Sequence, residues 1–238
     1  MALSDQSWGP APRVLRAEAG RTLADQAYQQ IRNDIVQGVL APSSKLQPDV
    51  LRGRYDIGLS PLREALSRLT LDGLAVSEGQ RGIFVAPASV GELLDIGSLR
   101  VEFAGMALER SMRLGGDEWE SGIVTTYYHL NKLEKQVGRD PKTFGEEWER
   151  RNRDFHTALE AGCGSPWLIH FCDILYDQLE RYRRLFVAYT EINPATYDEH
   201  RVIMELALAR KPKAVHHLTV HLNHTTEIIK QRMTEGAV

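Results

Sequence analysis

The sequence predicts a mainly α-helical protein of two parts, an N-terminal winged helix-turn-helix followed by an all-α antiparallel bundle of six helices. Three observations lead to this fold class. The chain has 238 residues, which suits two domains of roughly 100 to 150 residues each. Apolar residues recur at spacings of three and four along most of the chain, and two short strand-like stretches lie together in its first part. We expect a flexible arm over residues 1–21, the winged helix over 22–87 and the bundle over 88–238.

Composition restricts the class of protein further. With 42% hydrophobic and 26% charged residues, the chain has the balance of a globular protein rather than a disordered one. Its N-terminus lacks the apolar segment of a secretory signal, and no apolar run approaches the roughly 18 residues that a membrane span needs. Cys163 and Cys172 are too few for a disulfide framework or a cysteine-rich zinc site. We therefore expect a cytoplasmic protein with reduced thiols and no membrane contact.

Three helices are predicted in the winged-helix part. Thr22 begins the first helix with Asp25 three residues later, a pattern in which each side chain caps the backbone N–H of the other, and Gly38 ends it. The second helix covers residues 48–55 and has a proline at its first position. The third covers residues 59–69, also with a proline in its first turn.

The second and third of these helices, joined by a short turn that contains Gly58, have the order of a helix-turn-helix, whose second helix enters the major groove of DNA. Two short strands, 74–77 and 83–85, then flank a glycine-tipped turn and form a wing. Such a hairpin brings an arginine and an unencumbered glycine backbone against a phosphate or a narrow minor groove. The residues predicted to contact DNA are Arg52, Arg54, Ser60, Arg63, Ser67, Arg68, Arg81 and Gly82. The alternative to DNA contact, for any single arginine on the third helix, is that it simply lies on the solvent-exposed face of an amphipathic helix.

Five stretches of this part follow a known pattern. They are residues 38–42, Leu46, 61–69, 72–74 and 80–85. In these stretches the chain resembles the DNA-binding domain of GntR-type bacterial regulators, and the resemblance implies a winged helix that binds a palindromic operator as a homodimer. The family usually has Ser-Arg-Thr before the third helix's Pro-Leu-Arg-Glu-Ala-Leu run, whereas this chain has Gly58-Leu59-Ser60. An arginine that family members often place on DNA is therefore absent. Arg63 is retained, and Arg54, Arg68 and the wing are the candidates to offset the loss.

Six helices are predicted in the second part, because capping pairs, glycines and prolines recur there and strand alternation does not. Ser89 with Glu92 is the first of these capping pairs. Five of the predicted helices cover about 89–115, 117–138, 143–162, 165–189 and 212–233, and another, before the last, contains residues 200–210. The short connections between them imply an antiparallel bundle.

Histidines are concentrated in the second part, where seven of the eight lie beyond residue 150. A single helical histidine is usually an ordinary core or surface residue, so only a combination carries weight. Asn152 and His156 are four residues apart and share one helix face. His200 and His221 lie on the last two helices, which a turn would place side by side. Three imidazoles and one oxygen donor suit a borderline divalent metal, with zinc favoured and nickel as the alternative.

Other polar residues compete for the same pocket. Asp154 is two positions from His156, about 200° around the helix, which favours Asn152 as the oxygen donor. His217 and His224 follow the spacing of a helix on either side of the last predicted ligand, and we expect both to be exposed.

A second group of residues also follows a known pattern. Its members are Arg100, 152–156, 199–200 and 221–222. They resemble the FCD ligand-binding domain of the FadR branch of GntR regulators. The resemblance implies a metal held by Asn152, His156, His200 and His221. It also implies that Arg100 joins the metal in binding a carboxylate effector and that this part of the chain forms the homodimer. Asn152 is neutral, whereas the family commonly has an aspartate there.

Further stretches are similar to the carbon-starvation-induced repressors of glutarate and 2-hydroxyglutarate catabolism. They are residues 93–96, 115–120, 155–158, 161–165 and 181–183. This resemblance implies a five-carbon dicarboxylate effector. His170 and the run 181–184 are within reach of the pocket, and we take Arg184 as the arginine that binds a second carboxylate in bidentate fashion. The alternative is that this run is a solvated basic face.

Together these features predict a DNA-binding transcription repressor, a homodimer that leaves its operator when a small carboxylate binds. A metalloenzyme that uses the histidine cluster is one alternative, but the chain has no His-Glu-x-x-His run and the winged helix would have no role. A constitutive DNA-binding dimer without an effector is the other. We expect no enzymatic activity.

Overall fold

The structure, a computed structural model, describes residues 22–137, 141–187 and 195–235. Its N-terminal elements are α1 (Leu23–Val36), α2 (Pro48–Tyr55), α3 (Leu59–Leu71), β1 (Ala75–Ser77) and β2 (Ile83–Val85). Six further helices follow, α4 (Val90–Leu114), α5 (Asp117–Val137), α6 (Pro141–Glu160), α7 (Pro166–Phe186), α8 (Ala195–Leu208) and α9 (Lys213–Glu235). The predicted fold class, a winged helix-turn-helix followed by six helices, is confirmed. The arm predicted over 1–21 lies outside the described residues.

Caps and turns fix the winged helix. At the start of α1, Thr22 Oγ1 accepts a hydrogen bond from the N–H of Asp25 at 3.1 Å, and the Asp25 carboxylate accepts one from the N–H of Thr22 at 3.1 Å. Helix α2 ends at Asp56, which has a left-handed φ of 50°. The two strands pair antiparallel. The turn between them closes at Gly82, whose φ of 104° favours glycine.

Each of the two units has an apolar core of its own. Buried residues of the winged helix include Ile31, Ile35, Leu62, Leu69 and Val85. Those of the helical unit include Trp119, Trp148, Phe155, Ile203 and Leu218. Helix α4 contacts α6, α7, α8 and α9, so it lies at the centre of the helical unit. Within the described ranges, no helix is both long and apolar enough to cross a membrane.

The helices of the second unit differ from their predicted bounds in three places. Helix α6 begins at Pro141, because proline suits the first turn of a helix. Helix α7 ends at Phe186, since Val187 is extended with φ of −117°, and the predicted continuation to about residue 189 falls outside the described residues. Helix α8 covers Ala195–Leu208 and ends two residues before the predicted Arg210, which has a left-handed φ of 51°.

Helix α7 joins the two units. Asp177 accepts a hydrogen bond from Arg32 of α1, with Nε 2.7 Å from Oδ2, and Gln178 Nε2 donates to the backbone carbonyl that ends α3 at 2.8 Å. The buried Arg181 donates to the carbonyls of residues 86–87, which connect the units. These three side chains lie along one side of α7. A displacement of α7 would therefore change the position of the winged helix relative to the helical unit.

Helices α4 and α9 pack tightly at Gly97. A Cβ atom on Gly97 would lie 2.7 Å from Cγ2 and 2.8 Å from Oγ1 of the buried Thr226. We expect Gly97→Ala to lower the free energy of unfolding by about 1 to 3 kcal/mol, measured by denaturant unfolding, because the added methyl group pushes the helices apart. Gly91→Ala in the first turn of the same helix is the control, since a Cβ there has no atom within 4 Å. Equal losses in both variants would contradict the close packing.

Candidate functional site

Helix α6 carries a buried polar face. Glu149, Asn152, His156 and Glu160 follow one another at intervals of three or four residues, and each is at most 5% exposed. This spacing keeps them on one side of the helix. Buried polar groups need partners, and those of this face come from α4, α7, α8 and α9.

Three histidines from α6, α8 and α9 meet at this face. The ring centre of His156 lies 5.6 Å from that of His200 and 5.2 Å from that of His221, and the last two are 4.7 Å apart. One ring nitrogen of each lies within 4.8 Å of the others, and all three residues are buried. The structure thus brings together the three histidines proposed from the sequence, with Asn152 one helical turn from His156.

Three polar atoms of this cluster are buried without a hydrogen-bond partner among the described residues. They are Asn152 Oδ1, His156 Nδ1 and His200 Nε2. A buried group left unpaired costs roughly 1 to 3 kcal/mol, so three in one place call for an explanation. Each can offer a lone pair to a cation, and three imidazoles with one oxygen fit a borderline divalent ion such as zinc or nickel.

Two carboxylates fix the tautomers of two of the histidines. His200 Nδ1 lies 2.6 Å from Glu134 Oε1, and His221 Nδ1 lies 2.7 Å from Glu199 Oε2. A carboxylate that accepts the Nδ1 proton leaves the Nε2 lone pair to bind a metal, as is usual for metal-binding histidines.

Burial also sets the charge of the cluster. It lowers the pKa of His200 to about 4 and the pKa of His221 to about 4. Burial lowers the pKa of His156 well below its usual range, and the neighbouring His221 and His200 add to this effect. Neutral imidazole is the form that binds metals. Near neutral pH the three rings therefore need to lose no proton before a cation binds.

Two arginines lie beside the histidines. Arg100 of α4 is 1% exposed and forms an ion pair of 2.6 Å with Glu160. Arg183 of α7 donates from Nε to Glu149 Oε1 at 2.8 Å. Both guanidinium groups lie against the ring of Tyr176, 5.4 Å and 5.8 Å from its centre.

A small cavity separates these groups. Its lining includes Arg100, Asn152, His156, Tyr176, Arg183 and His221. Among the described residues the lining has two arginines and no carboxylate, because Glu149 and Glu160 contact the arginines from outside it. The space open to the centres of water molecules is about 40 Å³, which is room for roughly three waters.

Arg184, the predicted second effector residue, is not part of this lining. Its Nε lies 2.8 Å from Glu180 Oε1 and its Nη1 lies 2.7 Å from Glu146 Oε1. Neighbouring residues of a helix point about 100° apart, so Arg183 lines the cavity and Arg184, the residue chosen from the sequence, does not.

The remaining competitors for the pocket lie elsewhere. The side chain of Asp154 is 43% exposed and pairs with an arginine of its own helix. His217 is exposed, as expected, whereas His224 is half-buried, with Nδ1 3.6 Å from Glu199 Oε1. His170 lines a separate cleft between the two units.

The predicted DNA-binding residues lie on α2, α3 and the wing. The exposed ones are Arg52 and Arg54 on α2, Ser60, Arg63 and Ser67 on α3, and Arg81 in the wing. Arg63 has no ion pair within the described ranges, so its guanidinium can bind a base or phosphate without first losing a partner. Arg54 lies 2.7 Å from Asp34. The Arg81 side chain is 76% exposed beside Gly82.

Arg68 differs from the other arginines of the winged helix. Its Nη1 lies 2.6 Å from Asp25 Oδ1, and its guanidinium lies 4.3 Å from the centre of the Tyr28 ring. Both partners belong to α1, so Arg68 ties α3 to α1. DNA contact by Arg68 would have to compete with these interactions.

Several groups of the pocket were missed by sequence reasoning. They are Glu134, Glu149, Glu160 and Tyr176. Glu149 and Glu160 continue the spacing of Asn152 and His156 by three and four residues, so the periodicity of α6 could have indicated them. The contacts of Glu134 and Tyr176 depend on helix packing and leave no comparable signal in the sequence.

The chain matches two protein families. Residues 23–85 match the bacterial regulatory proteins of the gntR family, and residues 95–224 match the FCD domain. The chain is 36% identical to the HTH-type transcriptional regulator BphR of Paraburkholderia xenovorans (strain LB400), over 95% of this chain and 93% of the relative. It is also 36% identical to the HTH-type transcriptional repressor GlaR of Escherichia coli (strain K12), over 87% of this chain and 95% of the relative.

Solved structures share the fold. E. coli McbR/YncC superposes with a TM-score of 0.73 at 19% identity, covering 89% of this chain and 99% of that one. A GntR regulator from Rhodococcus sp. RHA1 gives a TM-score of 0.68 at 16% identity, covering 87% and 96%. The families and relatives indicate a DNA-binding transcription regulator and not an enzyme. The chain belongs to the GntR family of bacterial regulatory proteins and carries an FCD domain.

Proposed function

We propose that the protein represses transcription as a homodimer bound to a palindromic operator, and that a small carboxylate of the glutarate or 2-hydroxyglutarate class releases it. Residues 22–87 would bind the operator in the cytoplasm, and residues 88–238 would bind the effector and form the dimer. The observation that carries the proposal is the buried cluster of neutral histidines and unpartnered acceptors beside two arginines. Such a site attracts an anion through both a metal and guanidinium groups.

The ligands of the proposed metal are on three helices. They are Asn152, His156, His200 and His221. Zinc is the favoured ion and nickel the alternative; when bound, the ion supplies a positive charge that attracts a carboxylate. Arg100 would bind the same carboxylate. Because Arg100 is 1% exposed, solvent screens its charge very little.

The small size of the cavity supports a link between acid binding and release of DNA. With room for roughly three waters, the cavity would have to enlarge to admit a five-carbon acid, and α7 is one of the helices that line it. Helix α7 also carries the contacts to the winged helix through Asp177, Gln178 and Arg181, so its displacement moves the winged helix. Linkage requires the acid to bind the DNA-free form more tightly, and a tenfold loss of operator affinity needs about 1.4 kcal/mol of coupling.

The test is fluorescence anisotropy of the protein on DNA from upstream of its own gene, with and without glutarate, 2-hydroxyglutarate and acids of other lengths. We expect binding to the DNA and release by a five-carbon diacid. Acid binding that leaves operator affinity unchanged would overturn the release mechanism, and absence of DNA binding would overturn the proposal as a whole.

The paired substitution Arg100→Met with Glu160→Gln tests the site itself. Arg100→Met alone would leave a buried carboxylate without its partner, at a cost of roughly 3 to 5 kcal/mol, so both charges are removed together. We expect the double variant to bind operator normally and to lose release by the acid. Arg113→Met, at an exposed position near the end of the same helix, is the control and should keep release. Normal release in the double variant would contradict a role for Arg100.

The ion pair between Asp177 and Arg32 gives a prediction about coupling. We expect Asp177→Asn to bind the acid like wild type but to reduce the factor by which the acid lowers operator affinity, by about 2- to 30-fold. The reason is that both carboxylate oxygens of Asp177 accept from Arg32 of α1. Asp177 also pairs with Arg153 of α6, so the control has to disturb Arg153 as well. Operator titrations at several acid concentrations measure the factor. Asp173→Asn, which lies 3.6 Å from Arg153, is the control, and equal losses in the two variants would argue against this route.

A further inference from the structure

Arg183 has the features of a second anion anchor in the effector cavity. It lies in the lining with Arg100, yet on a different helix, and the two guanidinium groups share a contact with the ring of Tyr176, whose centre is 5.4 Å from Arg100 and 5.8 Å from Arg183. Its side chain is 13% exposed, so its charge acts in a poorly solvated place.

The donors of Arg183 are used on one side only. Nε and Nη2 both donate to the carboxylate of Glu149, which is 1% exposed, in a bidentate pair. Among the described residues, Nη1 has no hydrogen-bond partner. A guanidinium has five N–H donors in a fixed plane, so two remain on Nη1 for a ligand while Glu149 holds the group in place.

Helix α6 sets the distance between the two arginines, because it carries the carboxylate partner of each. Their partners Glu149 and Glu160 are eleven residues apart on one helix face, about 16 Å along the axis, and Asn152 and His156 lie between them. An anion at Arg100 and the proposed metal would therefore have a second cationic group on the side of the metal ligands away from Glu160. A monocarboxylate has nothing to offer that group, whereas a diacid has its second carboxylate.

We propose that Arg183, positioned by Glu149, binds the second carboxylate of the effector and makes the site selective for dicarboxylates over monocarboxylates. This inference rests on the proposed function, because it takes the first carboxylate to be bound at Arg100. The selectivity would then depend on Arg183 and Glu149, neither of which is a proposed metal ligand.

The test compares glutarate with pentanoate, which has the same five carbons and one carboxylate fewer, by calorimetric titration of the zinc-loaded full chain. Wild type should prefer glutarate by about 10- to 100-fold, the range of a charge-assisted hydrogen bond. The double variant Arg183→Met with Glu149→Gln should lose that preference and keep its affinity for pentanoate. Arg184→Met, whose side chain pairs outside the cavity, should keep the preference.

A second variant keeps Arg183 and is expected to raise the affinity for glutarate instead of lowering it. Glu149→Gln keeps one side-chain oxygen that can accept from Arg183 and removes only the negative charge beside it, so glutarate should bind more tightly than to wild type while pentanoate changes little. If the double variant keeps the full preference, or if Glu149→Gln weakens glutarate binding, the inference is overturned and the proposed function stands. If wild type binds glutarate no better than pentanoate, the inference is also overturned. If wild type binds neither acid, the effector class in the proposed function fails with it.

Discussion

Zinc added to the metal-free protein should raise the free energy of unfolding by about 4 kcal/mol when free zinc exceeds its dissociation constant a thousandfold. The folded chain gathers three imidazoles and one amide oxygen in one buried place, whereas the unfolded chain keeps them apart, so the ion binds the folded state preferentially. For a chain of 238 residues this corresponds to a rise of roughly 8 to 16 °C in Tm. Scanning calorimetry after chelator treatment, before and after zinc is added, measures it.

Two histidine variants separate this site from incidental zinc binding. His156→Ala removes the central ligand and should abolish the shift, since His156 lies within reach of both other rings. His217→Ala removes an exposed histidine of α9 and should leave the shift intact. If both variants respond to zinc as wild type does, the ion binds elsewhere and the metal proposal is wrong. Repeating the series with nickel ranks the two ions at this donor set.

The stabilisation has an identifiable source. Asn152 Oδ1, His156 Nδ1 and His200 Nε2 are buried without partners among the described residues, and each unpaired group costs free energy in the metal-free state. The carboxylates of Glu134 and Glu199 already orient the rings of α8 and α9. Binding therefore satisfies groups that folding has already desolvated, and little rearrangement of the ligands is needed.

The fold was predictable because its signals are local. Thr22 with Asp25, and Ser89 ahead of α4, form the side-chain caps that the sequence indicates, and Gly82 has the positive φ that a glycine-tipped turn allows. Helix ends depend on wider context, which is why the end of α8 at Leu208 differed from its expected place.

The pocket was predictable only in part. Asn152 and His156 share a face through their spacing alone, and the histidines of α8 and α9 follow once those helices are paired. Which arginine of a consecutive run enters the cavity depends on the rotation of α7, and a shift of one residue turns a side chain by about 100°. The sequence therefore indicated a segment that reaches the cavity but could not show that Arg183, and not Arg184, lines it.

The second large expected effect concerns recognition of the operator. Arg63→Ala should weaken operator binding by about 1 to 3 kcal/mol per half-site, the range of a bidentate arginine–guanine contact. A homodimer presents two copies, so the total loss is about 2 to 6 kcal/mol, or roughly 30-fold to 20,000-fold. The physical basis is the position of Arg63, exposed on α3 without an ion pair in the described parts of the chain. Anisotropy titrations on the operator at a fixed salt concentration measure the loss.

Comparison with scrambled DNA and with Arg68→Ala decides what kind of contact Arg63 makes. A base contact lowers affinity for the operator far more than for scrambled DNA, whereas a phosphate contact lowers both alike. Arg68 is tied to Asp25 and lies against Tyr28, so Arg68→Ala should cost mainly stability, about 1 kcal/mol, and little discrimination. If Arg68→Ala lost discrimination and Arg63→Ala did not, the arginine of α3 that reads the operator would be Arg68, and DNA binding would have to break its contacts with α1.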